Sequence, residues 1–174
     1  MRLRALLVLL VSLAIQGCGA STGGTTARAS VPEVEVAGLA RVEQAIAEHH
    51  GHPLLLNFWA TWCAPCVAEL PDLLAVAAEH EVGVLGVSFD LMLPNKQPDE
   101  TSALVRAFLE RRDLALSTLI YDGSDYEAIN ARFNLPGGIP VTLAIDSAGN
   151  VVDRHEGEGS RDHFDRLAHK ALGP

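Results

Sequence analysis

Hydrophobic and polar positions follow two periods along the chain, and together they predict an ordered series of strands and helices. Leu39, Val42 and Ile46 recur at helical spacing, whereas the apolar run 54–58 is typical of a strand buried on both faces. The same criteria predict strands at 34–36, 54–58, 82–89, 117–121, 143–145 and 151–152, helices at 39–49, 64–80, 104–112 and 125–133, and a closing helix carrying Phe164, Leu167 and Ala168.

The order of these elements predicts the fold class. Strands and helices alternate first, and a hairpin follows in which a glycine-containing turn at 146–150 joins the last two strands. Such an order favours a central mixed β-sheet with helices on both faces, which is an α/β sandwich. No repeat of 20–50 residues is present, which argues against a solenoid.

The N-terminal segment has the pattern of a signal peptide at 1–17. Its apolar core, 5–15, would span about 16 Å as a helix, roughly half of a bilayer core. The segment ends in Gly17-Cys18 and resembles the lipobox of bacterial lipoprotein precursors, in which the cysteine becomes the acylated first residue. We therefore predict lipidation at Cys18 and a flexible tether at 18–33, with plain secretion or an uncleaved anchor as alternatives.

Composition narrows the function classes for the remaining domain, 34–174. The chain has 13 Lys and Arg against 22 Asp and Glu, a formal charge of −9, and loss of Arg2 and Arg4 with the signal peptide makes it more acidic. An acidic surface repels phosphate backbones, so nucleic acid is excluded as a leading partner.

A pair of cysteines, Cys63 and Cys66, lies where a predicted buried strand passes into a predicted helix. A cysteine at a helix N-terminus faces unpaired N–H groups and the positive end of the helix dipole, which stabilise its thiolate. Cys66, one turn later, is within reach of a disulfide with Cys63, and Pro65 suits the first helical turn. This placement predicts a redox-active dithiol in which Cys63 attacks a target disulfide and Cys66 resolves the mixed disulfide.

Three other sites compete with the redox dithiol. Structural zinc needs four ligands, and the chain has no second cysteine pair. A purely structural disulfide would close a very small loop and stabilise the chain little. A peroxidatic cysteine is the third alternative, but peroxiredoxins have Thr three residues before the reactive Cys, and Ala64 stands three residues after Thr61.

The segment 57–66, Asn-Phe-Trp-Ala-Thr-Trp-Cys-Ala-Pro-Cys, resembles the active site of the thioredoxin superfamily. The closer resemblance is to its extracytoplasmic TlpA/ResA-like branch, which includes the CcmG-type reductases, and it runs over roughly 34–174. Further matches to that branch are Asn57, Glu69, Pro71, the Gly138-Ile139-Pro140 segment and Thr142. The resemblance implies a thioredoxin-like sandwich. One departure is Leu135-Pro136-Gly137, which adds a proline and a glycine before Pro140.

The resemblance also implies roles for single residues. It makes Glu69 the acid that takes the proton of Cys66 during resolution, the alternative being a solvated first-turn acid. It implies a cis peptide bond at Pro140, which leaves the backbone of Ile139 free to pair with an extended peptide. Trp62 either contacts partners or covers the disulfide. Trp59 is expected in the core.

These features predict a thiol:disulfide oxidoreductase that reduces protein disulfides and uses neither a cofactor nor a metal. The resemblance implies a membrane thiol-electron donor of the CcdA/DsbD type and apocytochrome c as one substrate, as in cytochrome c-type biogenesis. The predicted location is the cell envelope, on the periplasmic side of a membrane that holds the lipid anchor. The alternatives are a disulfide oxidase or isomerase, and a non-catalytic module that binds thiols or copper.

Two further segments have open interpretations. His49, His50 and His52 form either a metal site or a solvated helix end. The loop 91–99 either rims the substrate groove or only connects two elements. His155 is expected to stand alone on an edge strand.

Overall fold

The computed structural model describes residues 32–173, which form one six-stranded sheet with helices on both faces. The signal peptide, Cys18 and most of the predicted tether lie outside the described residues. The strands are β1 (Val34–Ala37), β2 (Leu54–Trp59), β3 (Gly83–Ser88), β4 (Thr118–Tyr121), β5 (Val141–Ile145) and β6 (Val151–Glu156). The helices are α1 (Leu39–Glu48), α2 (Ala64–Glu79), α3 (Pro98–Arg111), α4 (Tyr126–Phe133) and α5 (Arg161–Leu172), with a 3₁₀ turn at Asp90–Met92.

The sheet is mixed, as the sequence predicts. Its strand order is β1-β4-β3-β2-β5-β6; β1, β4, β3 and β2 pair in parallel, and β5 and β6 are antiparallel to their neighbours. β2 therefore lies inside the sheet between β3 and β5. All six of its residues are buried, which explains its almost uninterrupted apolar sequence.

The two faces of the sheet carry separate cores. Leu55 and Trp59 of β2 pack on the side of α2, α3 and α5, whereas Leu56 and Phe58 pack on the side of α1 and α4. Asn57 alternates onto the first side because successive strand residues point to opposite faces. The only polar residue of β2 therefore faces α2, the helix that carries the cysteines.

The structure corrects two predictions around α3. This helix begins at Pro98 and so includes the end of the segment predicted as the loop 91–99, because Pro98 occupies its first turn and Asp99 and Glu100 suit its positive end. The helix predicted at 104–112 is therefore longer, and Leu104, the first residue of the predicted range, lies away from the core. It is 44% exposed, whereas Thr101, Val105 and Leu109 face the core at helical spacing.

Candidate active site

Cys63 and Cys66 form a disulfide at the junction of β2 and α2, with an S–S distance of 2.03 Å. Cys63 is the N-cap of α2, and its Sγ accepts a 3.3 Å hydrogen bond from the backbone N–H of Cys66. Cys66 is fully buried, whereas Cys63 retains 6% exposure. A reactant from solvent can therefore reach only Cys63, at the helix terminus that best stabilises a thiolate.

The segment before β5 faces this disulfide. The Ile139–Pro140 peptide bond is cis, as the family resemblance implies, and the carbonyl oxygen of Ile139 lies 3.9 Å from Cys63 Sγ. β5 pairs with β2 only from Val141 onward, opposite Phe58. Residues 137–139 thus precede the strand ladder and border the exposed side of the cysteine.

Glu69 is buried on α2, with 2% of its surface exposed, so the alternative of a solvated first-turn acid is wrong. Its carboxylate accepts hydrogen bonds from Asn57 Nδ2 at 2.9 Å and from the backbone N–H of Gly159 at 2.7 Å. Burial raises the pKa of Glu69 from 4.5 to about 7, because desolvation of the charged form outweighs the stabilisation from these two donors.

Asn57 connects Glu69 to the strand that follows the cis-proline. Its Nδ2 donates a second 2.9 Å hydrogen bond to Thr142 Oγ1, and both side chains are buried. The Oδ1 atom of Asn57 has no hydrogen-bond partner among residues 32–173. Asn57 on β2 therefore links β5 to the buried carboxylate of Glu69, which lies one turn beyond Cys66 on α2.

An apolar groove of about 340 Å³ opens beside Cys63. Trp62, which is 49% exposed, borders it, and Met92 and Leu93 form another part of its rim. The segment 91–99 thus lines the groove with two side chains, in addition to connecting the 3₁₀ turn to α3. The full lining is Trp62, Cys63, Phe89, Met92, Leu93, Tyr126, Gly137, Gly138 and Ile139.

Two parts of this arrangement were missed by the sequence analysis. Gly159 supplies a backbone donor, and no pattern in a glycine-rich turn reveals such a contact. Asp90 is buried at the start of the 3₁₀ turn, two residues after β3, and accepts hydrogen bonds from Thr61 and Ser88. The sequence could have indicated Asp90, because an acidic residue that follows a buried parallel strand lies at the same edge of the sheet as the residues that follow the neighbouring strand.

Two of the three clustered histidines, His49 and His50, have structural partners. His49 Nδ1 lies 2.9 Å from the carbonyl oxygen of Ala45, and His50 packs against Gly149 in the β5–β6 turn. Within residues 32–173, no three His, Cys, Asp or Glu side chains are grouped so that they would hold a metal ion. His155 does not stand alone as expected: its ring stacks on His163 with 3.9 Å between centroids.

A larger cavity, of about 490 Å³, lies at the opposite edge of the sheet, where β3 and β4 begin. Its cationic side chains are already paired. Arg41 contacts Glu35 and Glu48, and Arg106 donates to backbone carbonyls. This cavity is therefore a poor candidate for an anion site.

Among the residues that the structure describes, no helix combines the length and the hydrophobicity needed to cross a bilayer.

The chain is similar in sequence and in structure to known thiol-disulfide oxidoreductases. The family model described as Redoxin matches residues 26–169. The thiol-disulfide oxidoreductase ResA of Geobacillus kaustophilus (strain HTA426) is 29% identical over 168 residues, which cover 91% of this chain and 89% of that protein.

Two solved structures share the fold. A thioredoxin-family thiol:disulfide interchange protein from Chlorobium tepidum TLS superposes with a TM-score of 0.59 at 27% identity, covering 73% of this chain and 84% of its own. The pneumococcal exposed lipoprotein thioredoxin Etrx1 from Streptococcus pneumoniae strain TIGR4 gives 0.54 at 25% identity, covering 71% and 87%. The α/β sandwich is thus a thioredoxin-like fold.

Proposed function

The chain belongs to the Redoxin family and is a thiol-disulfide oxidoreductase with a Cys63–Cys66 pair, and from this premise we propose that it reduces disulfide bonds of proteins outside the cytoplasm. One observation carries the proposal. Cys63 borders an open apolar groove, whereas Cys66 is fully buried behind it, which is the arrangement required of an attacking and a resolving cysteine.

The reaction transfers two electrons from the reduced dithiol to the target. The Cys63 thiolate attacks one sulfur of the target disulfide, forming a mixed disulfide and releasing the first target thiolate. Cys66 then gives up its proton and attacks Cys63 Sγ, so the Cys63–Cys66 disulfide forms and the second target thiolate leaves. A thiol donor must afterwards return two electrons to the pair.

Glu69 is the proposed acceptor of the Cys66 proton. Its burial and its pKa of about 7 support the role, because such a carboxyl exchanges a proton near neutral pH and an ordinary glutamate does not. It lies one helical turn beyond Cys66, on the same helix. The hydrogen bonds from Asn57 and Gly159 hold the carboxylate in one orientation for the transfer.

Trp62, Ile139 and Pro140 are the proposed substrate-binding residues. The cis-proline segment borders Cys63, and Ile139 precedes the strand ladder, so its backbone is available to an extended peptide. Trp62 forms one side of the groove and offers an apolar surface. The preferred target is therefore a protein cysteine flanked by an apolar side chain that enters the groove.

The proposed location is the periplasmic side of the cell envelope, with the protein held to a membrane by acylated Cys18. Support comes from the basic and apolar segment 1–17, the lipobox-like Cys18 and the similarity to an exposed lipoprotein thioredoxin. On this proposal the electron donor is a membrane protein of the CcdA/DsbD type. Apocytochrome c is one substrate, consistent with the similarity to ResA.

The experiment that tests the function follows the reduction of insulin by prereduced, purified protein. We expect one insulin disulfide to be reduced for each Cys63–Cys66 disulfide formed. The Cys63→Ser variant is expected to be inactive, and Cys66→Ser to stop at a mixed disulfide. If wild-type protein reduces insulin no faster than a variant that lacks both cysteines, the proposed function is wrong.

A further inference from the structure

Asp90 is a buried carboxylate, 3% exposed, and it forms none of the ion pairs found within residues 32–173. Burial of a charge without a cation is costly unless hydrogen-bond donors surround it. Thr61 provides two such donors: its backbone N–H lies 3.0 Å from Asp90 Oδ2, and its hydroxyl donates to Oδ1 at 2.5 Å. The Ser88 hydroxyl donates to Oδ2 at 2.6 Å.

The bonds from Thr61 to Asp90 join two segments of the chain that diverge at the end of the sheet. β2 and β3 are paired up to Trp59 and Ser88, and a further hydrogen bond runs from Phe89 N–H to the Trp59 carbonyl. Beyond that point β2 continues into the turn that carries Cys63, and β3 continues into the 3₁₀ turn. The carboxylate of Asp90 spans the gap between them.

Both segments continue directly into the groove beside the disulfide. Trp62 and Cys63 follow Thr61 and line one part of the groove, whereas Met92 and Leu93 follow Asp90 and form another part of its rim. Hydrogen bonds to a charged acceptor are shorter and stronger than those between neutral groups, so they hold the two segments in one relative position.

We propose that Asp90 is a positioning residue that, through Thr61, sets the distance between the Trp62–Cys63 side and the Met92–Leu93 rim of the groove. It thereby favours targets with an apolar side chain next to the attacked cysteine. The inference rests on the proposed reduction of protein disulfides. It adds a residue that touches neither the substrate nor the reacting sulfur atoms.

The test compares two chromogenic substrates with full-length, prereduced protein. Each is a short peptide whose single cysteine is joined by a disulfide to thionitrobenzoate, with leucine on both sides in one peptide and serine in the other. Attack of Cys63 on the peptide sulfur releases coloured thionitrobenzoate. Wild-type protein is expected to prefer the leucine peptide.

The Asp90→Asn variant keeps the size of the side chain and removes its charge. We expect the second-order rate constant of the single-turnover reaction with the leucine peptide to fall about tenfold, mainly because the half-saturating peptide concentration rises, since a groove misplaced by a fraction of an ångström loses contacts with the bound side chain. For the serine peptide the fall is expected to stay within about twofold. A merely structural role would lower the active fraction and reduce both rates in the same proportion.

Three further variants make the outcome specific. Thr61→Val removes the hydroxyl donor to Asp90 at a partly exposed position, and we expect it to weaken the preference for the leucine peptide as Asp90→Asn does. This variant also tests the proposal if Asp90→Asn does not fold. Thr61→Ser keeps both donors and is expected to retain the preference. Asp146→Asn is the matched control, since Asp146 also accepts backbone N–H bonds but follows β5 at the opposite edge of the sheet.

Equal losses on both peptides, or an unchanged preference in Asp90→Asn and Thr61→Val, would overturn the positioning role while leaving the proposed function intact. Failure of wild-type protein to reduce either peptide or insulin would instead overturn the proposed function itself.

Discussion

The backbone N–H of Gly159 donates a 2.7 Å hydrogen bond to the side chain of Glu69, which lies 90 residues earlier in the chain. Gly159 lies in the turn that leads into α5, one residue before the N-cap Ser160, and Glu69 belongs to α2, so the bond connects α2 to the start of α5. Asn57 donates to the other carboxylate oxygen from β2. Both bonds favour the charged carboxylate, but its burial disfavours the charge more strongly, which is why the pKa of Glu69 rises to about 7.

Glu69→Gln should remove a pH dependence from the free energy of unfolding. A carboxyl with a pKa of about 7 in the folded state and 4.5 when unfolded stabilises the fold fully below pH 4.5. That contribution, at most about 3 kcal/mol, is lost as pH rises from 4.5 through 7, because over this range the unfolded state has released the proton that the folded state still holds. Urea unfolding at pH 4.5 and pH 8 measures the change.

In Glu69→Gln, the decrease in the free energy of unfolding from pH 4.5 to pH 8 should be smaller than in wild type by that amount. Glu110→Gln is the control, since Glu110 is exposed on α3 and its replacement should leave the pH dependence unchanged. A Glu69→Gln variant with the wild-type pH dependence would mean that Glu69 titrates near its ordinary pKa.

Gly159→Ala should destabilise the fold by about 1–3 kcal/mol, the range found when a packed core receives an extra methyl group. A Cβ at this position would lie 2.3 Å from Cζ of Phe164, which is fully buried, so either the ring or the turn must move. Movement of the turn also weakens the hydrogen bond to Glu69. Gly138→Ala is the control because a Cβ there meets nothing within 4 Å, and urea unfolding should find it unchanged.

Cys63 should be alkylated by iodoacetamide at least about tenfold faster than Cys66 in the reduced protein at pH 6. It caps α2 and lies at the groove, whereas Cys66 is fully buried. Mass spectrometry of the digested protein after timed quenching measures the two rates separately. Similar rates would contradict the assignment of Cys63 as the attacking cysteine.

The midpoint potential of the pair should be reducing, nearer to the value of about −270 mV for thioredoxin than to about −120 mV for DsbA. Ala64 and Pro65 add no positive charge between the cysteines, and Glu69 disfavours a second negative charge near Cys66. Equilibration with glutathione buffers gives the value. Pro65→His, which adds an imidazole, should shift the midpoint potential to a less negative, more oxidising value. A wild-type midpoint above about −180 mV would favour an oxidase or isomerase.

Cys18→Ser should release the protein from the membrane fraction without changing its dithiol chemistry, because acyl chains on Cys18 provide the proposed anchor. Cell fractionation followed by immunoblotting measures the distribution, and insulin reduction measures the chemistry. Cys63→Ser serves as control and should remain in the membrane fraction. Retention of Cys18→Ser in that fraction would contradict lipidation at this position.

Local signals in the sequence were sufficient to predict most of the fold. The apolar run of β2, the helical spacing in α1 and the glycine-containing turn between β5 and β6 each lie within a few neighbouring residues, and the structure confirms all three. The start of α3 differs from the prediction because Pro98, which the pattern places in the loop 91–99, occupies the first turn of the helix. The outward position of Leu104 cannot be derived from the sequence, because an apolar residue at helical spacing does not by itself reveal which face of the helix meets the sheet.

The sequence by itself determined where the dithiol lies, since a cysteine pair between a buried strand and a helix needs only adjacent residues to define it. The tertiary structure alone decided the state of Glu69 and the position of Asp90. Burial of a carboxylate depends on donors and apolar groups that approach from distant segments, here Gly159 for Glu69 and Thr61 for Asp90. The desolvation that raises the pKa of Glu69 arises only when those segments pack together.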